Sequence, residues 1–260
     1  MGEQVSVMST ASYIPPPSAW LALTEGHRAV IDMISLRMSR KALASVPNGD
    51  GHAVMVLPGF MGGDGYNGAF RRFLSKRNYG VHGWGLGRNL GPREGVLEAM
   101  SNRLEDLYDE YGGPVSLVGH SLGGIYAREL ARSMPDKVRQ VISLGSPFGE
   151  GRMGASYPGK LFAAMNPMDE LPLDQDILPI APPVPTTAVY SHGDGVVNWQ
   201  TAVQHNGHEQ TQNIRVRGSH CGMTLNPTVW FLVAERLAQS EGDWKPFVSR
   251  SWSNVLYPAL

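Results

Sequence analysis

What most narrows the folds open to this chain is the pentapeptide Gly119-His120-Ser121-Leu122-Gly123. It lies between an apolar run, Val115-Ser116-Leu117-Val118, and a helix-forming segment, Ile125-Tyr126-Ala127-Arg128-Glu129-Leu130-Ala131. A serine with glycine two residues away on either side, at a strand-to-helix junction, is the pattern of a nucleophile elbow. So sharp a bend forces the serine into a strained backbone conformation, and only residues without side chains let strand and helix close on each other there. The hydroxyl is left at the tip of the bend, open to a substrate. In a chain with 31 glycines the string alone carries little weight, and its surroundings must supply the rest.

Those surroundings alternate short apolar runs with amphipathic segments, which predicts a mostly parallel sheet flanked by helices, an α/β fold. Besides the elbow strand, strands are expected at Ala53–Leu57, Val81–Leu86, Val138–Leu144, Thr187–Tyr190 and Ile214–Arg217. Residues 67–79 read as a helix with Phe70, Phe73 and Leu74 on one face. Pro92–Tyr111 reads as another, striped by Leu97, Met100, Leu104, Leu107 and Tyr111. Asn226-Pro227 has the cap-then-proline start of a last helix running to about Gln239.

Residues 1–50 read as a preceding unit, an arm ending in Pro15-Pro16-Pro17 and a helix from Ser18 to about Ser45. In that helix Trp20, Leu23, His27, Ile31, Ile34 and Met38 recur at helical spacing. Packing on the core is the expected use of the stripe, with a membrane-surface helix as the alternative. Residues 51–260 then form the α/β domain. Its alternation stops between Pro147 and Pro185, and an irregular stretch of that length, about 148–186, reads as a small lid insertion or binding loop.

Charge is balanced, 22 basic against 23 acidic side chains with no basic run, so nucleic-acid binding has no electrostatic support. A single cysteine excludes an intrachain disulfide and fits a reducing compartment. The start, Met1-Gly2-Glu3-Gln4, has no signal-peptide pattern, and no stretch reaches the ~18 apolar residues of a membrane span. A cytoplasmic location follows as the expectation; the sequence does not give the oligomeric state.

A serine hydroxyl needs a base to take its proton and a third group to orient that base. On a sheet of this kind the order is nucleophile, acid, base, each following a strand. Of eight histidines, His220 is the one just past an alternating strand, Asn213-Ile214-Arg215-Val216-Arg217, and just before the last helix. The acid should follow the preceding strand, where Asp194 sits in Ser191-His192-Gly193-Asp194-Gly195. An Asp-Gly turn accounts for that loop equally and is compatible with the role. Glu150, one strand earlier, is the competitor. For the oxyanion, one donor should be the Leu122 amide and the other an amide of the loop Leu57-Pro58-Gly59-Phe60-Met61-Gly62-Gly63, with Phe60 first and Met61 second.

Taken together, these motifs resemble the α/β-hydrolase superfamily. The carriers are Pro58–Gly63, Gly119–Gly124, Ser143-Leu144-Gly145-Ser146-Pro147, Asp194-Gly195-Val196-Val197 and Gly218-Ser219-His220, in order within residues 53 to 239. The chain is most similar to the lipase and carboxylesterase branch that includes the GPI-inositol-deacylase-like enzymes. That resemblance implies a Ser121-Asp194-His220 hydrolase working through an acyl-enzyme, with no cofactor. One departure is visible: the common lipase pattern has His-Gly in the oxyanion loop, and this chain has Pro58-Gly59.

Around these residues the apolar side chains Met61 and Met223, with Met153, Phe162 and Met165 of the irregular stretch (Leu161 and Met168 beside them), suggest a wall for a moderately hydrophobic ester of short to medium chain. Acyl transfer, thioester or amide cleavage by the same triad are alternatives, and a noncatalytic binding protein is a further one. Four other features point elsewhere with less support. His205 and His208 lack a third metal ligand; Asp169, Glu170, Asp174 and Asp176 lack calcium-loop spacing. Cys221 is expected to be a small packed side chain, and Gly123-Gly124 is followed by no phosphate-loop lysine.

Overall fold

A computed structural model of the chain describes residues 13–152, 154–166, 173–174, 176–249 and 256–258. Six strands form one sheet: β1 (Ala53–Leu57), β2 (Gly80–Gly83), β3 (Val115–His120), β4 (Val138–Leu144), β5 (Thr186–Ser191) and β6 (Thr211–Val216). The order across the sheet is β2-β1-β3-β4-β5-β6, and every pairing is parallel. Chain order reverses between β1 and β3. In open parallel sheets the crevice beyond the carboxyl ends at such a reversal is where ligands bind, because the following loops diverge there.

Successive strand side chains point to opposite faces, and β1 shows the consequence. Val54 and Val56 join one core with Phe70, Phe73 and Trp230, while Ala53, Met55 and Leu57 join the other with Met100, Leu104 and Tyr126. The first face is covered by α3 (Gly68–Ser75) and α7 (Pro227–Leu237), the second by α4 (Val96–Tyr111) and α5 (Leu122–Ser133). Helix ends follow their chemistry. The Asn226 side chain accepts the Thr228 and Val229 amides ahead of Pro227, and Gly112 closes α4 at φ 67°. The α4 stripe is buried at Met100, Leu104 and Leu107, but Tyr111 reaches outward, where its hydroxyl accepts from His82 Nε2 (2.9 Å), the other ring nitrogen of His82 accepting from Arg103.

Helix α1 (Ala19–Met38), followed by the short α2 (Arg40–Leu43), sits on the turn Met223–Leu225 and on α7. The expected apolar packing of α1 is corrected here. Trp20, Leu23, Ile31, Ile34 and Met38 are exposed, Leu23 and Met38 by about four-fifths, while Glu25 and Asp32 are the residues of α1 that are buried. Helical spacing reveals that a helix has two faces; the partners available decide which one turns inward, and here they are loop amides.

Beyond β4 the chain runs irregularly, includes α6 (Gly159–Met165), and bridges Ser156 to Val197. Arg128 of α5, fully buried, fastens this stretch by donating to Ile180 O (2.8 Å), Leu178 O (3.2 Å) and Gln204 Oε1 (2.6 Å) and by stacking on Phe148 at 3.8 Å.

At the elbow, Ser121 takes φ 53°, ψ −122°, a conformation L-residues rarely adopt. A Cβ on Gly119 would lie 2.2 Å from Gly123 O, and one on Gly123 would lie 2.3 Å from Leu57 O. Both obstacles are backbone, so neither can swing aside. Gly119→Ala should therefore destabilise the fold by more than about 3 kcal/mol, or prevent folding, as read by urea unfolding.

Candidate active site

The elbow delivers Ser121 to the carboxyl edge of the sheet, with its own N–H given to Leu144 O (2.8 Å). Alongside it, the loops after β5 and β6 bring Asp194 and His220 together. His220 Nδ1 donates to Asp194 Oδ2 at 2.6 Å, and both side chains are almost wholly buried. The other carboxylate oxygen, Oδ1, accepts the Val196 (2.9 Å) and Val197 (2.7 Å) amides, which fixes the acid's rotamer. Glu150, its competitor, is exposed on the surface. Burial pulls the His220 pKa down, but the Asp194 carboxylate outweighs it, with help from Glu25, and the imidazole stands above its ordinary range. Ser121 and His220 line one cavity of about 480 Å³.

The loop after β1 meets the same cavity. Met61 N–H is committed to Asn89 O (2.7 Å), so the second-choice oxyanion donor is already occupied. The Phe60 and Leu122 amides donate to no protein acceptor among the described residues. Asn89, fully buried, holds this loop in shape: its side chain donates to Pro58 O (2.8 Å) and its amide to Gly62 O (2.7 Å). Nothing in the sequence flags Asn89, because its partners belong to a loop almost thirty residues earlier.

Of the expected wall residues, Met61 and Phe162 line the cavity, and the Phe60 and Phe162 rings meet edge to face at 5.4 Å. Two assignments are corrected. Met223 packs into the core beneath Gly145 instead, because the turn after His220 directs it inward. Met165 ends α6 and is not in the wall; Pro158, Leu161 and Phe162 at the start of that helix supply it. Met153 and Met168 lie outside the described residues. Cys221, expected to be packed, is exposed at the cavity rim, where desolvation and then the Glu25 carboxylate push its thiol up to about 11, away from a reactive thiolate.

Two further groups escaped sequence reasoning. His120, the residue just ahead of Ser121 in the elbow, is buried beneath the site, where its Nε2 donates to the His220 carbonyl (3.0 Å) and its ring stacks on Tyr66. Burial, and then the neighbouring His220, push its pKa down to about 3. From α1, Glu25 reaches the Asp194 and His220 loops at once: Oε2 accepts the Gly195 amide (3.0 Å) and Oε1 the Cys221 amide (2.7 Å). One turn pair further on, Asp32 accepts from Ser219 N (3.0 Å), Ser219 Oγ (2.7 Å) and Asn226 Nδ2 (2.9 Å). Arg28, bonded to Glu25, also donates to Gly193 O. The residues directly after Asp194 and His220, and the one directly before His220, are thus all tied to a single helix.

No protein-family model matches this chain. The human protein "Lysosomal phospholipase A and acyltransferase" is 41% identical over 56 residues, 20% of this chain and 14% of that one. The chain therefore spans only about a seventh of that relative's length in the match. Among solved structures, Aspergillus fumigatus lipase B superposes with a TM-score of 0.55 at 17% identity, covering 78% of this chain and 56% of that one. The Paleococcus ferrophilus monoacylglycerol lipase gives 0.53 at 13%, covering 74% and 96%. This chain has the α/β-hydrolase fold, and its Asp194–His220 pair joins the loops that follow β5 and β6.

Glu25→Gln should leave one loop amide facing a donor instead of an acceptor. The expected result is a loss of about 1–3 kcal/mol in urea unfolding, together with a lower His220 titration midpoint by NMR.

Proposed function

We propose that this chain is a serine hydrolase that cleaves carboxylic esters through an acyl-enzyme. The observation that carries this reading is the shared cavity: the strained Ser121, the Asp194-held His220 and two uncommitted amides all border it. Ser121 Oγ attacks the ester carbonyl carbon while its proton passes to His220 Nε2. The carbonyl oxygen gains the negative charge and is held by the Phe60 and Leu122 amides, donors already in place before charge develops. On collapse the ester C–O bond breaks, and the alcohol leaves with the proton from Nε2. Water then repeats the sequence on the acyl group, releasing the acid and restoring Ser121. Asp194 keeps the Nδ1 proton in place and offsets the charge His220 carries in each step.

The cavity's volume and largely apolar wall suit a moderately hydrophobic acyl or alcohol group of short to medium length. Residues 148–186 act as its lid in this reading, supported by Pro158, Leu161, Phe162 and Leu178 on the wall. A cytoplasmic setting belongs to the same reading, supported by the single cysteine. Among the described residues no helix is long and apolar enough to cross a membrane. Transfer of the acyl group to an alcohol in place of water is the second reading, favoured by the name of the human relative.

A p-nitrophenyl ester series of increasing chain length tests the reading. Ser121→Ala and His220→Ala should each lower kcat by more than about 10³-fold, and retention of wild-type turnover by both would remove the assignment. Adding a long-chain alcohol separates transfer from hydrolysis by the ester it forms.

The pH profile follows from the raised His220 pKa. The base must be neutral, so kcat/KM should rise with pH along a limb whose midpoint lies above about 6.5. Asp194→Asn should move that midpoint down and lower kcat by roughly 10³–10⁴-fold, whereas Glu150→Gln should change neither.

A further inference from the structure

Helix α1 is amphipathic, and it is mounted with its charged face inward. Glu25, Arg28 and Asp32 are spent on the loops of Asp194 and His220. The outward face carries Trp20, Leu23, Val30, Ile31, Ile34 and Met38, all about half exposed or more. Leaving such a stripe in water is unfavourable over its whole length, so it calls for a cover.

The charges around the stripe say which cover fits. Both carboxylates of α1 are turned inward, so the exposed ionisable residues of α1 and α2 are His27, Arg37, Arg40 and Lys41. A second copy of the same helix would bring these cations more cations and no carboxylate. A sheet of lipid phosphates offers anions at the rim and acyl chains beneath, the arrangement that an apolar stripe edged with basic side chains matches. The helix also lies beside the cavity: Glu25 holds Cys221 of the cavity rim, and Tyr157 donates to Pro17 O (2.9 Å) just ahead of the helix.

We infer that α1 is an interfacial helix that seats this protein on an anionic lipid surface, laying the Trp20–Met38 stripe into the headgroup boundary. On the ester-hydrolase reading, the same contact would set the cavity beside a store of apolar substrate. The helix cannot be repositioned independently, because its inner face is bonded to the loops it overlies.

The test uses the full chain in co-sedimentation with extruded vesicles, one set of phosphatidylcholine and one of equal parts phosphatidylcholine and phosphatidylglycerol. Wild type should partition at least about ten-fold more strongly onto the anionic set. Leu23→Asp with Ile31→Asp, and separately Arg37→Gln with Arg40→Gln and Lys41→Gln, should each lose about ten-fold or more of that binding. Turnover of p-nitrophenyl acetate in vesicle-free buffer should stay within about two-fold of wild type for both variants, since none of these residues borders the cavity. Equal partition onto both vesicle sets, no partition at all, or unchanged binding by the Leu23/Ile31 variant overturns the inference. So does light scattering that finds a wild-type dimer which that variant abolishes, because the stripe would then belong to a second copy. The sedimentation reads binding and not turnover, so an inactive wild type that still binds would sink the hydrolase reading and leave this one standing.

Discussion

Everything at the candidate site rests on one close approach, the packing of α5 against the ends of β1 and β3 with only glycines between them. The backbone of Ser121 would not hold φ 53°, ψ −122° in isolation. It is held because its amide is bonded to Leu144 O on the neighbouring strand and because Gly119 and Gly123 let backbone meet backbone. The same approach sets the Leu122 amide, the first of α5, beside the loop that follows β1. The position of Ser121 and that of the Leu122 amide are therefore one geometric fact. The sheet supplies the energy for it: β1 and β3 are buried along their whole length, with a core on each face.

How much of this was readable in advance follows from the range of each interaction. Strands such as Ala53–Leu57 and Val138–Leu144 match their apolar runs, because a strand buried on both faces leaves a continuous signature. The Asp194 and His220 loops were legible for a related reason: each follows a strand directly, in glycine-marked turns. Asn89 left no such mark. Its value lies in reaching Pro58 and Gly62, and an asparagine in a loop reads the same whether it staples another loop or faces water. Met223 failed in the opposite sense, since adjacency to His220 in sequence did not place its side chain in the same cavity.

Helix α1 is the instructive case. Its period was evident, and the obvious inference buried the apolar stripe. Burying Glu25 and Asp32 is costly unless each oxygen meets donors, and those donors are amides and a hydroxyl around Gly195, Ser219 and Cys221, nearly two hundred residues away. No local pattern announces such partners. The loops, in turn, hold amides that no neighbouring loop residue satisfies, so helix and loops complete each other. A segment read as an appendage to the domain thereby becomes part of what positions Asp194 and His220.

The two histidines at the site show how position divides one chemistry into two roles. Their rings are 4.8 Å apart, close enough that a proton on one disfavours a proton on the other. His220 has the Asp194 carboxylate on Nδ1 and Glu25 nearby, so its charged form is supported even though it is buried. His120 has neither: burial, and then the neighbouring His220, hold its pKa down to about 3 and keep it neutral, against the upward pull of its Nε2 bond to the His220 carbonyl. Its Nδ1 has no partner among the described residues. On the proposed route the imidazolium forms on His220 twice per turnover, each time beside a ring that stays uncharged. A protonated His120 would oppose that charge through a few ångströms of low-dielectric interior, where repulsion is strongest. The elbow position just ahead of Ser121 thus contributes a neutral neighbour and a donor to the base's own carbonyl, a requirement that favours an imidazole kept dry over one that titrates.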